Sequence, residues 1–192
     1  STQTGELMDK NDNTVKDYNW FRKDKQLMEY FKDKFDFKRK LLIGYDDLDG
    51  TTVNGSLNFN NTQITKLPDN LTVKGNLYLR NTRIVKLPEN LSVDGDLELC
   101  VSDITSLPDN LKVGGYLDVR YTKITKLPTS LQVGGTLHLR GTDITELPSS
   151  LIIVNGDLDL NDTKITSLPD NFTVNGNLKL TNTPITKLPD NL

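Results

Sequence analysis

The chain has 192 residues, with 23 Lys and Arg against 26 Asp and Glu, and a formal net charge of −3. This length suits one buried domain or a repeat array with a small cap. The near balance of charge argues against a general nucleic-acid binder, which would show a clear basic excess.

The composition also bears on compartment and membrane association. A single cysteine, Cys100, excludes an internal disulfide and favours a reducing compartment. The longest apolar runs, 41–43 and 151–154, fall far short of the ~20 residues that cross a membrane, and the polar first residues lack the apolar core of a signal peptide. We therefore expect a cytoplasmic protein, in the producing or the host cell, without a membrane partner.

Residues 1–45 differ from the rest of the chain in being aromatic and slightly basic, with a net charge of +2 against −5 for residues 46–192. Within 24–37, Leu27, Met28, Phe31 and Phe35 fall on one face at helical spacing. Because the open end of a repeat array exposes its core, we predict a small α-helical N-terminal cap here. The alternative is an aromatic partner-binding patch beside the lysines of 32–40.

Residues 46–192 are a tandem repeat, marked by the pair Leu-Pro. The first residues of these pairs are Leu67, Leu87, Leu107, Leu127, Leu147, Leu168 and Leu188, so the period is 20 residues with one interval of 21. One unit reads L-P-x-x-L-x-V-x-G-x-L-x-L-x-x-T-x-I-x-x. Since no unit can bury its Leu, Val and Ile side chains alone, we predict that about seven coils stack into a parallel β-solenoid.

The L-x-L segment of each unit alternates with the two-residue period of a strand that has one buried face. The predicted strands are 57–59, 77–79, 97–99, 117–119, 137–139, 158–160 and 178–180. A second extended stretch is expected around Ile84. A glycine such as Gly75 precedes each strand, which predicts a turn that needs either positive φ or close backbone approach.

The pattern L-x-L-x-x-T-x-I-x-x-L-P-x-x-L resembles the short bacterial leucine-rich repeat. Twenty-residue units with Leu-Pro are typical of effectors that enteric pathogens secrete into host cells, and similar arrays occur in phage and large-virus proteins. The resemblance implies a concave L-x-L sheet, a helical N-terminal cap and non-catalytic protein binding. Two departures, Thr in place of the usual Asn and V-x-G in place of the second proline region, leave open a flatter β-helix.

The recurrent hydroxyl position is held by Thr62, Thr82, Ser102, Thr122, Thr142, Thr163 and Thr183. We expect these side chains to bond backbone groups of the neighbouring coil, as an asparagine ladder would. An ice-binding surface is a weaker interpretation, because Thr142 and Thr145 flank an inward Ile144 and should face different directions.

The variable positions of the strands predict the functional surface. One column lies between the two leucines and another lies one step beyond, and both are expected on the exposed face of the sheet. Solenoids present extended faces to partners, and Arg and Tyr tend to dominate interface energies. The predicted partner-binding residues are Tyr78, Arg80, Glu98, Tyr116, Asp118, Arg120, Tyr121, His138, Arg140 and Asp159. The alternative is a set of solvated ion pairs with little energetic weight.

The sequence offers little catalytic material. His138 and Cys100 are the only residues of their kinds, and no nucleotide, zinc or redox motif occurs. We predict no catalytic residues, no cofactor and no metal; a site at Asp118, His138 and Asp159 is a weaker alternative. The favoured function is a protein-binding scaffold, an effector or inhibitor. The alternatives are an acidic nucleic-acid mimic and a polysaccharide-active β-helix enzyme using Glu98, Asp118 and Asp159.

Overall fold

The computed structural model describes residues 48–151 and 153–190, which lie in the second of the chain's two units, Leu48–Leu192. They form fourteen strands of two residues each and no helix, and therefore no helix that could cross a membrane. The predicted helical cap at 1–45 falls outside the described residues. The strands are β1 (Thr52–Val53), β2 (Leu57–Asn58), β3 (Thr72–Val73), β4 (Leu77–Tyr78), β5 (Ser92–Val93), β6 (Leu97–Glu98), β7 (Lys112–Val113), β8 (Leu117–Asp118), β9 (Gln132–Val133), β10 (Leu137–His138), β11 (Ile153–Val154), β12 (Leu158–Asp159), β13 (Thr173–Val174) and β14 (Leu178–Lys179).

The even-numbered strands form one seven-stranded parallel sheet in the order β14-β12-β10-β8-β6-β4-β2. Leu77 pairs with Leu57 on one side and Leu97 on the other, and the same register holds along the sheet. The predicted parallel β-solenoid and the seven L-x-L strands are thereby confirmed, although each strand is one residue shorter than expected. Seven stacked strands delimit six complete turns.

The second side of the solenoid lies elsewhere than predicted. It is formed by x-V strands before the glycine, with β1, β3, β5, β7 and β9 in one sheet and β11 with β13 in another. The segment around Ile84 forms no strand, but it has a parallel bridge between Lys86 and Ser106 and backbone hydrogen bonds to the next coil, such as that from Thr105 N–H to the Val85 carbonyl at 3.0 Å. The side chain of Ile84 is fully buried, and the β-branched x-V positions, which the sequence analysis did not select, form the second sheet.

The single 21-residue interval explains the break between β9 and β11. The extra residue falls between Leu147 and Leu168 and disturbs the pairing on this side only. On the opposite side Leu137 still pairs with Leu158, so the seven-stranded sheet continues without interruption. The strand register of the seven-stranded sheet is therefore independent of the strand register on the x-V side.

The core is a stack of equivalent apolar side chains. Leu77, Leu97, Leu117, Leu137 and Leu158 are fully buried, as are Ile84, Ile104, Ile124, Ile144 and Ile165. Each coil covers the apolar side chains of the next one, which no coil could bury alone.

The recurrent glycine is required by close approach of neighbouring coils. A Cβ on Gly75 would lie 2.6 Å from Oγ of Ser56 and 2.7 Å from the carbonyl carbon of Gly55, which is too close for any side chain. Gly75 is not among the residues with positive φ. Of the two reasons proposed from the sequence, close approach is therefore the correct one here.

The regular spacing of the hydroxyl column reflects a turn within one coil. The Thr142 hydroxyl donates to the carbonyl oxygen of Leu139 at 2.7 Å, and the Thr142 backbone N–H donates to the same oxygen at 3.2 Å. Equivalent hydroxyl bonds occur at Thr62, Thr82, Ser102, Thr122, Thr163 and Thr183. The expectation that these groups bond the neighbouring coil was wrong, because the carbonyl three residues earlier is the nearest acceptor. Thr142 is buried and Thr145 exposed, as predicted.

We expect Thr142→Val to lower the free energy of unfolding by about 1 kcal/mol, since it removes one buried hydrogen bond while keeping the side-chain shape. The matched control is Thr145→Val in the same coil, where the exposed side chain should change stability by less than about 0.5 kcal/mol. Urea denaturation followed by circular dichroism measures both. Equal stability of the two variants would contradict the assigned role of Thr142.

Candidate partner-binding face

The outer surface of the seven-stranded sheet carries three columns of variable side chains, which we call the sheet face. The first column precedes the strand leucine and comprises Ser56, Asn76, Asp96, Tyr116, Thr136, Asp157 and Asn177. The second comprises Asn58, Tyr78, Glu98, Asp118, His138, Asp159 and Lys179. The third comprises Asn60, Arg80, Cys100, Arg120, Arg140, Asn161 and Thr181. Successive members of a column belong to paired strands, so they are ~4.8 Å apart.

The first column builds a ladder between coils. The side-chain oxygen of Asn76 accepts the backbone N–H of Asp96 at 2.9 Å, and Oδ1 of Asp96 accepts that of Tyr116 at 2.9 Å. The ladder resumes where Oγ1 of Thr136 accepts the N–H of Asp157 at 3.1 Å. Tyr116 interrupts it, because a phenol oxygen at the far end of a ring cannot replace a short polar acceptor.

A fourth column, the turn column, follows the third. Its members adopt the left-handed backbone conformation, with φ of 52–67°. They are Asn61, Asn81, Val101, Tyr121, Gly141, Asp162 and Asn182. At the two ends of the array the side chains bond each other, Asn81 to Asn61 at 3.0 Å and Asn182 to Asp162 at 2.8 Å.

Val101 and Tyr121 break the turn column in the centre of the array. Asn, Asp and Gly tolerate the left-handed region, whereas a β-branched or bulky side chain there is an outlier that costs roughly 1–2 kcal/mol. Both side chains are nonetheless half-exposed, Val101 at 48% and Tyr121 at 53%. These two residues therefore strain the backbone without gaining a buried position.

The ring of Tyr121 lies across the next coil, where Gly141 makes room for it. A Cβ on Gly141 would lie 2.5 Å from Cδ1 and 2.7 Å from Cε1 of Tyr121. The guanidinium carbon of Arg140 is 5.9 Å from the centre of the same ring, within the range of a cation–π interaction. Nε of Arg140 also donates to Asp162 at 3.0 Å, so the guanidinium is held on both sides.

Arg120 and Asp118 form a forked ion pair on the sheet face. Nε of Arg120 donates to Oδ1 of Asp118 at 2.9 Å, and Nη2 donates to Oδ2 at 2.7 Å. These hydrogen bonds raise the pKa of Arg120. Only 2% of Asp118 is exposed, so the pair holds a buried carboxylate in place and leaves the outer side of the guanidinium available.

Glu98, Cys100 and Asp118 are the one set of potential metal ligands that the described residues bring together, with ligand atoms within 4.8 Å of one another. Both oxygens of Asp118 are engaged by Arg120, and the Cys100 thiol donates to Oε1 of Glu98 at 3.7 Å. Burial, followed by the charges of Asp118 and Glu98, raises the pKa of Cys100 to about 11. A protonated thiol beside an arginine-bound carboxylate favours a hydrogen-bonded cluster over a metal centre.

His138 lies between two buried carboxylates, since it pairs in register with Asp118 on one strand and with Asp159 on the other. Its ring meets that of Tyr116 edge-on, with ring centres 6.0 Å apart and an interplanar angle of 73°. Nδ1 is buried and has no hydrogen-bond partner. Desolvation lowers the pKa of His138 in spite of the opposing effect of Asp118.

The structure corrects the predicted exposure of the second column. Asp118 and Asp159 are 2% and 6% exposed, and Cys100 in the third column is 2% exposed, so these three do not offer free surface. Among the predicted partner-binding residues, Tyr78, Glu98, Tyr116, Arg120, His138 and Arg140 are half-buried, while Arg80 and Tyr121 are exposed.

The structure also identifies residues that the sequence analysis did not select. We define the central patch as Glu98, Val101, Tyr116, Arg120, Tyr121, His138 and Arg140, which lie in β6, β8 and β10 or in the segments directly before and after them. Val101 and Gly141 were missed, although a signal existed: five of the seven members of the turn column are Asn, Asp or Gly, and Val101 and Tyr121 depart from this rule.

No protein-family model matches the chain, and no curated protein matches it in sequence. The likeness to leucine-rich repeats therefore rests on the repeat pattern and on the parallel β-solenoid described above.

We expect Val101→Asn to raise the free energy of unfolding by about 1 kcal/mol, because asparagine tolerates the left-handed conformation that strains valine. The mirror-image control is Asn81→Val, one coil earlier, which should lower it by about 1–2 kcal/mol. Urea denaturation of both variants against the wild type gives the two values. Shifts of the same sign in the two variants would contradict a strained turn at Val101.

We expect stability to fall as the pH drops through about 6.5 in the wild type, and to fall less in His138→Gln. The folded pKa of His138 lies below its ordinary value of 6.5, so the unfolded chain takes up the proton first and acid favours unfolding. The charged groups that face it are Asp118, Arg120, Asp159 and Lys179. Asp157 and Asp162, whose pKa values are held below 3.8 by hydrogen bonds from Asn177 and Asn182, do not titrate in this window.

Urea midpoints measured at several pH values test this expectation. An equal loss of stability in the wild type and in His138→Gln would show that another group is responsible.

Proposed function

We propose that this protein is a non-catalytic, leucine-rich-repeat-like scaffold that binds a partner protein on its sheet face, through the central patch. The observation that carries the proposal is the pair Val101 and Tyr121. Both hold left-handed backbones at a cost in stability and both remain half-exposed. Strained residues persist where they serve a function, and this pair exposes apolar and aromatic surface to a partner.

The neighbours of this pair suit an interface. Tyr121 and Arg140 stack on each other, Arg120 is fixed by Asp118, and Tyr116 contacts His138. Side chains that are already ordered lose little conformational entropy when a partner binds, which favours affinity. Tyr and Arg are also the residues that most often carry binding energy.

The burial of Asp118 and Asp159 weakens the case for a polysaccharide-active enzyme. Of the three carboxylates considered for that role, only Glu98 is accessible, and general acid–base chemistry on a glycosidic bond requires two. An acidic nucleic-acid mimic is also disfavoured, because Arg80, Arg120 and Arg140 lie on the same face as the acids.

The resemblance to bacterial and phage repeat proteins supports an effector or inhibitor that acts on a host protein in the cytoplasm.

The test is affinity capture from host-cell extract with the wild type and two surface variants. Tyr121→Asn removes the ring but places a residue suited to the left-handed turn, so we expect it to lose the captured partner while remaining at least as stable as the wild type. The control is Gln132→Ala, an exposed position on β9 on the opposite side, which should retain the partner. A partner that binds Tyr121→Asn as well as the wild type would exclude the central patch.

A further inference from the structure

Two half-buried carboxylates on the sheet face, Asp96 and Glu98, have no cationic partner among residues 48–151 and 153–190. By contrast, Asp118 pairs with Arg120 at 2.7 Å and Asp162 with Arg140 at 3.0 Å. Asp157 and Asp159 on the same face also form no ion pair, but Oδ1 of Asp157 accepts two hydrogen bonds from Asn177, and Asp159 is only 6% exposed. Oδ1 of Asp96 accepts the backbone N–H of Tyr116, and Oε1 of Glu98 accepts only the weak thiol donor of Cys100. Each carboxylate therefore retains acceptor capacity toward the outside.

Two tyrosines flank these carboxylates along the solenoid axis. Tyr78 pairs in register with Glu98 from the preceding strand, and its hydroxyl is held by the side-chain amide of Asn76 at 2.7 Å. Tyr116 follows Asp96 in the first column, one coil further on. The two aromatic rings and the two acids thus occupy three successive coils of one exposed face, with the acids in the middle.

The local charge is negative. One exposed cation, Arg80, stands near the two acids and forms no ion pair within the described part of the chain, which leaves an excess of one negative charge. Burial, then the charges of Glu98 and Asp96, raises the pKa of Tyr116 to about 12. Negative charge also acts on Cys100, whose pKa is raised by burial and then by the charges of Asp118 and Glu98.

We propose that the partner protein places a basic side chain on this surface, between the rings of Tyr78 and Tyr116 and against the carboxylates of Asp96 and Glu98. The proposal rests on the proposed function and specifies the partner's chemistry. A guanidinium suits the site better than an ammonium, because its plane stacks on an aromatic ring while its edge donates to a carboxylate. Charge complementarity of this kind also orients a partner as it approaches.

The test uses three short peptides that differ at one position, acetyl-Gly-Arg-Gly-amide and its Lys and Glu counterparts, titrated into the full chain. Side-chain NMR signals of Tyr78, Tyr116 and Glu98 report binding. We expect saturable shifts with the arginine peptide, weaker shifts with lysine and none with glutamate. Added salt should weaken the binding, since the site is solvent-exposed.

Glu98→Gln keeps the shape of the side chain, and we expect it to weaken arginine-peptide binding about threefold, the effect of losing one half-exposed ion pair. The matched control is Asp94→Asn, an exposed acid of the same coil that pairs with Lys74 on the opposite side, which should leave binding unchanged. Equal affinity for the glutamate peptide, no loss in Glu98→Gln, or stronger competition by calcium chloride than by sodium chloride of equal ionic strength would each overturn the proposal.

These outcomes are separable from those of the capture experiment. Loss of the captured partner in Tyr121→Asn together with its full retention in Glu98→Gln would support the central patch and overturn the basic side chain. Arginine-peptide binding at Tyr78 and Tyr116, together with a partner that binds Tyr121→Asn as well as the wild type, would support the basic-side-chain surface and exclude the part of the central patch around Tyr121.

Discussion

The structure depends on in-register stacking of equivalent apolar side chains in successive coils. Leu97, for example, pairs with Leu77 and Leu117 and is fully buried between them. Since each fully buried leucine or isoleucine contributes about 1.5–3 kcal/mol, the stack outweighs small local strains. The close approach that it requires also removes the side chain at Gly75 and its equivalents.

Stacking has a second consequence: the fold does not depend on which side chains occupy the outward-facing positions. A side chain on the sheet face belongs to a coil whose backbone is already fixed from both sides, so its identity hardly affects the fold. The ladders of the first column and the turn column nevertheless add stability at most outward positions. Where Tyr116, Val101 and Tyr121 interrupt them, the array gives up hydrogen bonds or takes on backbone strain. These interruptions cluster in two adjacent coils, those of β6 and β8, and this clustering distinguishes a candidate site from scattered sequence drift.

The sequence alone was sufficient for the parallel solenoid, because a 20-residue period with alternating leucines has few other ways to bury its apolar side chains. It was not sufficient to locate the second sheet. The x-V segment and the segment around Ile84 both recur with the repeat period and both contain an apolar residue, so the pattern does not distinguish which of them forms strands. It placed Tyr121 and Arg140 on the candidate face but not their mutual stacking, which depends on the missing side chain of Gly141. It also missed the burial of Asp118 and Asp159, because strand alternation gives the direction of a side chain but not what its neighbours cover.

The central patch and the neighbouring Asp96 offer a partner three different features. Arg120 and Arg140 are each bound to an acid of this chain, so they offer directed donors without excess charge. Asp96 and Glu98 have no such cation among the described residues, which is the basis for proposing a basic side chain of the partner at this position. Val101 and Tyr121 add apolar surface beside the bound arginines. A partner that matches all three features would need an acceptor, an apolar contact and a basic side chain in a fixed arrangement, and such a requirement is a source of specificity that a uniformly charged face would lack.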